Sequence, residues 1–224
     1  MTINYCLPII KKSKSEVLET IDQNRSEFSF FEVWLDYIED LDIEFIEKLS
    51  DELGEKLIFL LRRQNLEQIQ MSLQKRHTIM QLLSHQKSLL DLDIRQQDEL
   101  HFLKEQSLLS PLILSYHNYG ETPQKEVLRE TIESMREYKP AIYKIATFCK
   151  TKKEAVRLLD LLVELKDQSL RCIILGMGEL GTVTRIFGTL WGNELVFAPL
   201  EKTASSAPGQ LTKEELEKIF STIS

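Results

Sequence analysis

Short apolar runs rich in β-branched and aromatic residues recur along the whole chain at fairly even spacing. Runs of this kind, bounded by polar or turn-forming residues, are typical of strands that are buried on both faces. They predict eight strands, at residues 4–9, 28–36, 56–62, 88–94, 112–117, 142–147, 172–177 and 194–200.

Between these runs, apolar residues recur every three or four positions, which is typical of amphipathic helices. The clearest helices are predicted at residues 15–23, 44–53, 66–83, 151–166 and 211–223. Alternating strands and helices give parallel strands with helical crossovers, so the fold class is α/β and the simplest architecture is a single (β/α)8 TIM barrel. Because no Pro/Gly-rich linker interrupts the alternation, we expect one domain over residues 1–224.

Composition and charge narrow the range of functions. Apolar residues make up 42% of the chain and charged residues 28%, which is typical of a folded globular protein. Lys and Arg number 28 against 35 Asp and Glu, a net charge of −7. This acidic balance argues against a broad nucleic-acid or anionic membrane surface, so we expect neither partner.

The cysteines and the start of the chain indicate a cytoplasmic protein. Cys6, Cys149 and Cys172 lie far apart in apolar runs with no C-x-x-C pair, which favours buried, reduced thiols over metal ligands. The first residues lack the charged and apolar regions of a signal peptide, and no apolar run approaches the roughly 18 residues of a membrane helix.

Active sites of (β/α)8 barrels lie at the C-terminal ends of the strands, so polar residues there are the first candidates. Period two puts Glu32, Trp34 and Asp36 on one face of the second strand, as an interior polar network or a structural ion pair. Arg62 ends the third strand, where it faces an anion or the solvent. The fourth strand carries Asp91, and the fifth ends in His117, a general-base candidate if a carboxylate orients it.

The sixth strand contains Lys144 between apolar neighbours. Lysine is rarely buried without a partner or a function, and desolvation makes its amine more nucleophilic. Lys144 is therefore a candidate for forming an imine with a ketone, which would draw electrons from the adjacent carbon. The alternative is a lysine whose stem lies along the core while its amine reaches water.

Two later segments complete the candidate set. Residues 176–181 match G-x-G-x-x-G, but only one strand follows them, so we interpret the glycines as a tight turn that aims Arg185 into the barrel mouth rather than as a dinucleotide site. Residues 201–210 form a small-residue loop with Ser206 and Gln210, interpreted as a lid or as an ordinary surface loop.

Taken together, these segments resemble type I 3-dehydroquinate dehydratases over essentially the whole chain. The resemblance rests on Asp91-Leu92-Asp93-Ile94, Leu112–Asn118, Tyr143-Lys144-Ile145-Ala146, Met177 to Arg185, and Ser206-Ala207-Pro208-Gly209-Gln210, in that order. It implies a (β/α)8 barrel, usually a homodimer, that works without metal or cofactor. It also implies a lyase of the shikimate pathway, in aromatic amino-acid biosynthesis, that converts 3-dehydroquinate to 3-dehydroshikimate and water.

The resemblance also implies residue roles. Lys144 forms the imine with the C3 ketone, and His117 removes a C2 proton and then helps the C1 hydroxyl to leave. Arg185 binds the substrate carboxylate, and Asp91 supports the histidine. The expected substrate pocket is lined by Glu32, Arg62, Ser206 and Gln210.

The sequence departs from the family pattern at two points. Trp34 stands where the family motif Glu-x-Arg-x-Asp has its arginine, and the Glu-Gly-Gly expected after Arg62 is missing, with Glu67 as a candidate substitute. These departures keep two alternatives open. One is a Schiff-base aldolase-like barrel that acts on another keto substrate, and the other is a degenerate, non-catalytic barrel that binds a metabolite. A dinucleotide-binding oxidoreductase is a more distant alternative.

Overall fold

The computed structural model describes residues 2–62, 71–107 and 111–223. Its strands are β1 (Tyr5–Ile9), β2 (Phe30–Trp34), β3 (Leu57–Leu60), β4 (Leu89–Asp93), β5 (Leu112–Asn118), β6 (Ile142–Phe148), β7 (Cys172–Met177) and β8 (Val196–Phe197). Its α-helices are α1 (Lys14–Asn24), α2 (Ile43–Leu53), α3 (Leu73–Leu83), α4 (Gln97–Glu105), α5 (Lys125–Arg136), α6 (Lys152–Asp167), α7 (Thr182–Leu190) and α8 (Lys213–Ile223).

Strands and helices alternate strictly along the described chain, and the strands are parallel. This confirms the predicted (β/α)8 barrel fold class. The continuous apolar runs form the strands because both faces are covered: every residue of β3, β4 and β7 is buried. None of the helices in the described ranges is long and apolar enough to span a bilayer.

The chain divides into two compact units. One consists of Met1–Pro8 with Ser115–Ser224, and the other of Ile9–Leu114. In the first unit β6 pairs with β7 and β1 with β8; in the second β3 pairs with both β2 and β4. That the whole of 1–224 forms one domain stays a prediction.

Helix starts follow local chemistry. Ser13 and Thr151 accept hydrogen bonds from the backbone N–H of Glu16 and Glu154, whose carboxylates accept from the cap backbone in return. Such reciprocal capping satisfies backbone donors that would otherwise lack partners. It places the start of α1 one residue before the predicted start.

Several element bounds differ from the prediction. The helix predicted at 66–83 is described only from Leu73, because Ser72 caps it there; residues 66–70 lie outside the described residues. The predicted strand at 194–200 shrinks to Val196–Phe197. Helices α4 and α5 were not predicted, although each buries three residues.

Candidate active site

Lys144 is the third residue of β6, and its side chain is buried. It is 5% exposed, and its neighbours Tyr143 and Ile145 are buried as well. Its Nζ stands 4.5 Å from the centre of the Phe197 ring of β8, and an aromatic face stabilises a nearby cation. The amine is therefore in the interior, as the strand context predicts, while its role in catalysis stays a prediction.

His117 is the penultimate residue of β5 and is half-buried. Its ring lies 6.2 Å from that of Tyr119 and almost parallel to it, at 11°. Just after it, the Asn118 side-chain oxygen accepts hydrogen bonds from the backbone N–H groups of Gly120 and Glu121 at 3.0 and 3.2 Å. The imidazole thus lies at the C-terminal end of its strand, beside a turn that this asparagine holds in shape.

The loop after β5 is fastened to the C-terminal end of β6. The Thr122 hydroxyl shares a 2.8 Å hydrogen bond with that of Thr147 and donates to the Phe148 carbonyl at 3.0 Å. Arg157 of α6 donates to the Thr122 carbonyl at 2.9 Å. These bonds hold together the segments that follow His117 and Lys144 in sequence.

Arg185 lies in the first turns of α7, and its side chain is buried. Its side chain is 2% exposed, and none of its three guanidinium nitrogens has a hydrogen-bond partner among the described residues. Burial lowers the pKa of Arg185 from 12.5 to about 10, although the nearby Cys149 acts in the opposite direction. A buried, unsatisfied guanidinium is a costly arrangement that a bound carboxylate would relieve through paired hydrogen bonds.

The glycines of residues 176–181 serve a tight turn between β7 and α7. A Cβ on Gly181 would lie 2.4 Å from the Gly176 carbonyl carbon, so the two backbones can meet only without side chains. This contact supports the interpretation of the glycines as a turn that leads into α7 and Arg185. It gives no support to a dinucleotide site.

The loop after β8 is docked onto this turn. The Gly178 N–H donates to the Pro208 carbonyl at 3.1 Å, and the Thr182 hydroxyl donates to the Gly209 carbonyl at 3.3 Å. Gly209 adopts a φ of +81°, and a Cβ there would lie 2.4 Å from the Gly178 oxygen. Only glycine fits this close approach without displacing the loop.

Ser206 and Gln210 hydrogen-bond to each other within this loop. The Gln210 side-chain oxygen accepts from the Ser206 N–H at 2.9 Å, and its amide nitrogen donates to the Ser206 hydroxyl at 2.8 Å. The loop lines an open depression of about 460 Å³, together with Lys202. The structure thus brings these two predicted residues together, as a preformed pair in the first unit.

In the second unit, Trp34 links the two other predicted pocket residues. The Trp34 Nε1 donates to the Glu32 Oε2 at 2.9 Å, and the Arg62 Cζ lies 4.4 Å from the centre of the Trp34 ring. Glu32 and Trp34 are 3% and 5% exposed. The Arg62 backbone N–H donates to Asp36 Oδ2 at 2.6 Å, which fixes the start of the segment after β3.

A buried ion network in the second unit contains Asp36, for which the sequence left a structural ion pair open, but its partner Arg76 was not predicted. Arg76 of α3 is fully buried, donating to Asp36 at 3.0 Å and to Glu99 at 2.6 Å. Burial raises the pKa of Asp36 from its ordinary value, and the Arg76 charge opposes that rise. The sequence does carry a sign that Arg76 is buried. It lies three, four and seven residues before Ile79, Met80 and Leu83, on the same apolar face of the helix.

Asp91 lies on β4, opposite Leu60 of β3, and its side chain is fully buried. Its support of His117 stays a prediction. Glu67, the candidate substitute for the missing glutamate, lies outside the described residues. The three cysteines are buried, as expected, and no group of three or more potential metal ligands occurs within residues 2–62, 71–107 and 111–223.

Comparison with known families decides the identity of the fold. The family model for type I 3-dehydroquinase matches residues 5–224, nearly the whole chain. The chain belongs to the type I 3-dehydroquinase family. Membership of this family confirms the predicted enzyme class, a hydro-lyase of the 3-dehydroquinate dehydratase type.

Curated relatives of this chain agree with the family model. A 3-dehydroquinate dehydratase from Methanococcus maripaludis strain C6 is 27% identical over 233 residues, covering 97% of this chain and 99% of the relative. One from Coxiella burnetii strain Dugway 5J108-111 is 26% identical over 223 residues, covering 98% of this chain and 93% of the relative.

Solved structures share the fold of this chain. The 3-dehydroquinate dehydratase of Geobacillus kaustophilus HTA426 superposes with a TM-score of 0.84 at 21% identity, covering 100% of this chain and 91% of the other. The type I enzyme of Clostridium difficile, solved with covalently modified comenic acid, superposes with a TM-score of 0.81 at 23% identity, covering 99% and 92%.

Proposed function

We propose that this protein converts 3-dehydroquinate to 3-dehydroshikimate and water through an imine of Lys144. The observation that carries the proposal is a lysine, 5% exposed, at the strand position where the family motif has its own. Burial removes the water that stabilises a charged amine, and this favours the neutral, nucleophilic form. The reaction belongs to the shikimate pathway.

The proposed sequence begins with imine formation. The Lys144 amine adds to the C3 ketone, and loss of water gives an iminium. His117 removes a proton from C2, and the electron pair moves toward the iminium nitrogen. The C1 hydroxyl then leaves as water, taking the proton back from His117, and hydrolysis of the iminium releases the product and the amine.

The remaining residues are proposed to bind the substrate. This role is best supported for Arg185. Its buried guanidinium lacks a protein partner among the described residues, and a guanidinium can bind a carboxylate through two parallel hydrogen bonds. Ser206 and Gln210 offer a preformed hydroxyl–amide pair. Glu32 and Arg62 are assigned to the substrate pocket on the family resemblance.

The spectroscopic dehydratase assay tests this proposal. Product formation is followed by the absorbance of the conjugated enone, in the wild type, Lys144→Ala and Lys150→Ala. Lys150 is an exposed lysine just after the same strand, which makes it a matched control. The proposal expects activity in the wild type and in Lys150→Ala and none in Lys144→Ala; a wild type that binds the ligand without turnover would favour a non-catalytic barrel.

We also propose that the protein acts in the cytoplasm as a homodimer. The location is supported by its sparse, buried cysteines, which suit a reducing compartment. The dimer is inferred from the family resemblance. Sedimentation equilibrium, with a mass near twice 26.1 kDa as the expected result, tests the dimer.

A further inference from the structure

Glu32, Trp34 and Arg62, which we call the β2–β3 cluster, make contacts that explain the replacement of a family arginine by tryptophan. The indole N–H donates to the Glu32 carboxylate at 2.9 Å in a buried position. The face of the same indole ring contacts the Arg62 guanidinium, whose Cζ lies 4.4 Å from the ring centre. One side chain thus contacts both an acid and a base.

The strand register produces this arrangement. Glu32 and Trp34 are two residues apart in β2, so their side chains lie on the same face. Trp34 is paired with Leu60, the last residue of β3, and Arg62 follows two residues later. The Trp34 and Tyr37 rings pack in a T-shaped arrangement, with centroids 5.7 Å apart at 66°, and this contact restrains the indole.

The indole orients the carboxylate without adding a charge. A hydrogen bond at Glu32 Oε2 fixes the plane of the carboxylate and therefore the direction of its other oxygen. An arginine at position 34 would add a second cation beside Arg62. With tryptophan, Arg62 is the cation of the cluster, and it is held against an aromatic face, which favours a guanidinium.

We propose that Trp34 is a positioning residue for substrate recognition. It holds the Glu32 carboxylate by its N–H and the Arg62 guanidinium by its ring, so the ligand meets an oriented acceptor and an oriented donor. The ligand part that this cluster recognises is a hydroxylated carbon, not a second anion. This inference rests on the proposed function, which assigns Glu32 and Arg62 to the substrate.

The expected effect is a loss of affinity on removing the indole N–H. Trp34→Phe keeps an aromatic face for Arg62 and removes the hydrogen bond to Glu32. A hydrogen bond to a charged group is worth enough to change binding about tenfold or more. We expect the dissociation constant to rise about tenfold, while the exposed Trp191, mutated to Phe as a matched control, changes it less than about twofold.

A double-mutant cycle distinguishes positioning from a purely structural role. Binding of 3-dehydroquinate is measured by calorimetry in the Lys144→Ala background, which prevents turnover, with Trp34→Phe, Glu32→Ala and both. If Trp34 acts through Glu32, Trp34→Phe has less than about a twofold effect once Glu32 is gone. Additive effects, or no effect of Trp34→Phe alone, overturn the proposal.

A second measurement keeps the outcomes separate. In Trp191→Phe, Trp34 is the remaining tryptophan of the two in the sequence, and its emission should change as 3-dehydroquinate binds. Unchanged emission in an enzyme that turns over overturns the role of Trp34 and leaves the proposed function intact. If the effects of Trp34→Phe and Glu32→Ala on binding are coupled but the wild type shows no turnover, the positioning role of Trp34 is supported and dehydration is refuted. If the wild type shows neither binding nor turnover, both proposals are refuted.

Discussion

Replacing Arg185 with methionine should make the protein more stable while removing its affinity for substrate. The fall in the pKa of Arg185 from 12.5 to about 10 on burial corresponds to about 3 kcal/mol that the folded state loses by holding the charged form. Methionine fills most of the same volume without a charge, and the small cavity left behind costs about 1 kcal/mol. The net gain is therefore about 2 kcal/mol, or roughly 4–8 °C in melting temperature for a chain of this size.

The sign of the pH dependence follows from the same shift. Because the folded-state pKa of Arg185 lies below the unfolded one, the cost is fully present below pH 10 and declines only as the pH rises through about 10. Across neutral pH the gain from Arg185→Met should therefore be constant. Arg185→Lys, which keeps a cation in the same surroundings, should not gain stability.

Thermal melts with and without ligand measure both effects. In the Lys144→Ala variant, 3-dehydroquinate at about 100 times its dissociation constant should stabilise the protein by about 2.7 kcal/mol. In the double variant with Arg185→Met, the same ligand concentration should give no stabilisation. A ligand-free Arg185→Met protein that melts several degrees below the wild type would refute the reasoning. It would mean that the guanidinium is already satisfied in the folded protein.

Three further predictions concern other parts of the structure. His117→Asn should lower kcat about 10²–10⁴-fold in the dehydratase assay, because it removes the proposed general base while leaving the amine in place; an unchanged kcat contradicts that role. Gly209→Ala should introduce about 1–3 kcal/mol of strain and raise KM about tenfold, since its Cβ would meet the Gly178 oxygen at 2.4 Å; steady-state kinetics check this, and an unaltered KM contradicts it. Arg76→Met should destabilise the fold by about 3–5 kcal/mol in urea unfolding, because it leaves buried carboxylates unpaired. Without that cation the already raised pKa of Asp36 rises further, so the loss should be smaller near pH 4 than at pH 7, and a pH-independent loss contradicts this.

The strand pattern could be predicted because burial on both faces leaves a simple signature in the sequence. The bounds of β7 agree with the prediction, and those of β6 extend one residue beyond it. The burial of Lys144 follows from the same signature, since a charged residue between apolar neighbours in such a strand has little access to water. Helices α4 and α5 were missed, although each buries three residues, as many as the predicted α1.

The polar contacts could not be predicted, because they depend on which side chains the tertiary structure brings together. Asp36 and Arg76 are 40 residues apart, and no local pattern joins them. The Ser206–Gln210 pair and the contact of Arg62 with Trp34 likewise depend on loop conformation and strand register. From the sequence, Trp34 shares a strand face with Glu32 and departs from a family motif; its contacts with Glu32 and Arg62 are seen only in the structure.

Borohydride trapping tests the central claim most directly. The wild type, incubated with 3-dehydroquinate and reduced, should carry the ligand as a secondary amine on Lys144, located by peptide mass spectrometry. Lys144→Ala should carry none, and Lys150→Ala should be labelled like the wild type. An active wild type that is never labelled at Lys144, or a label that persists in Lys144→Ala, would contradict the imine.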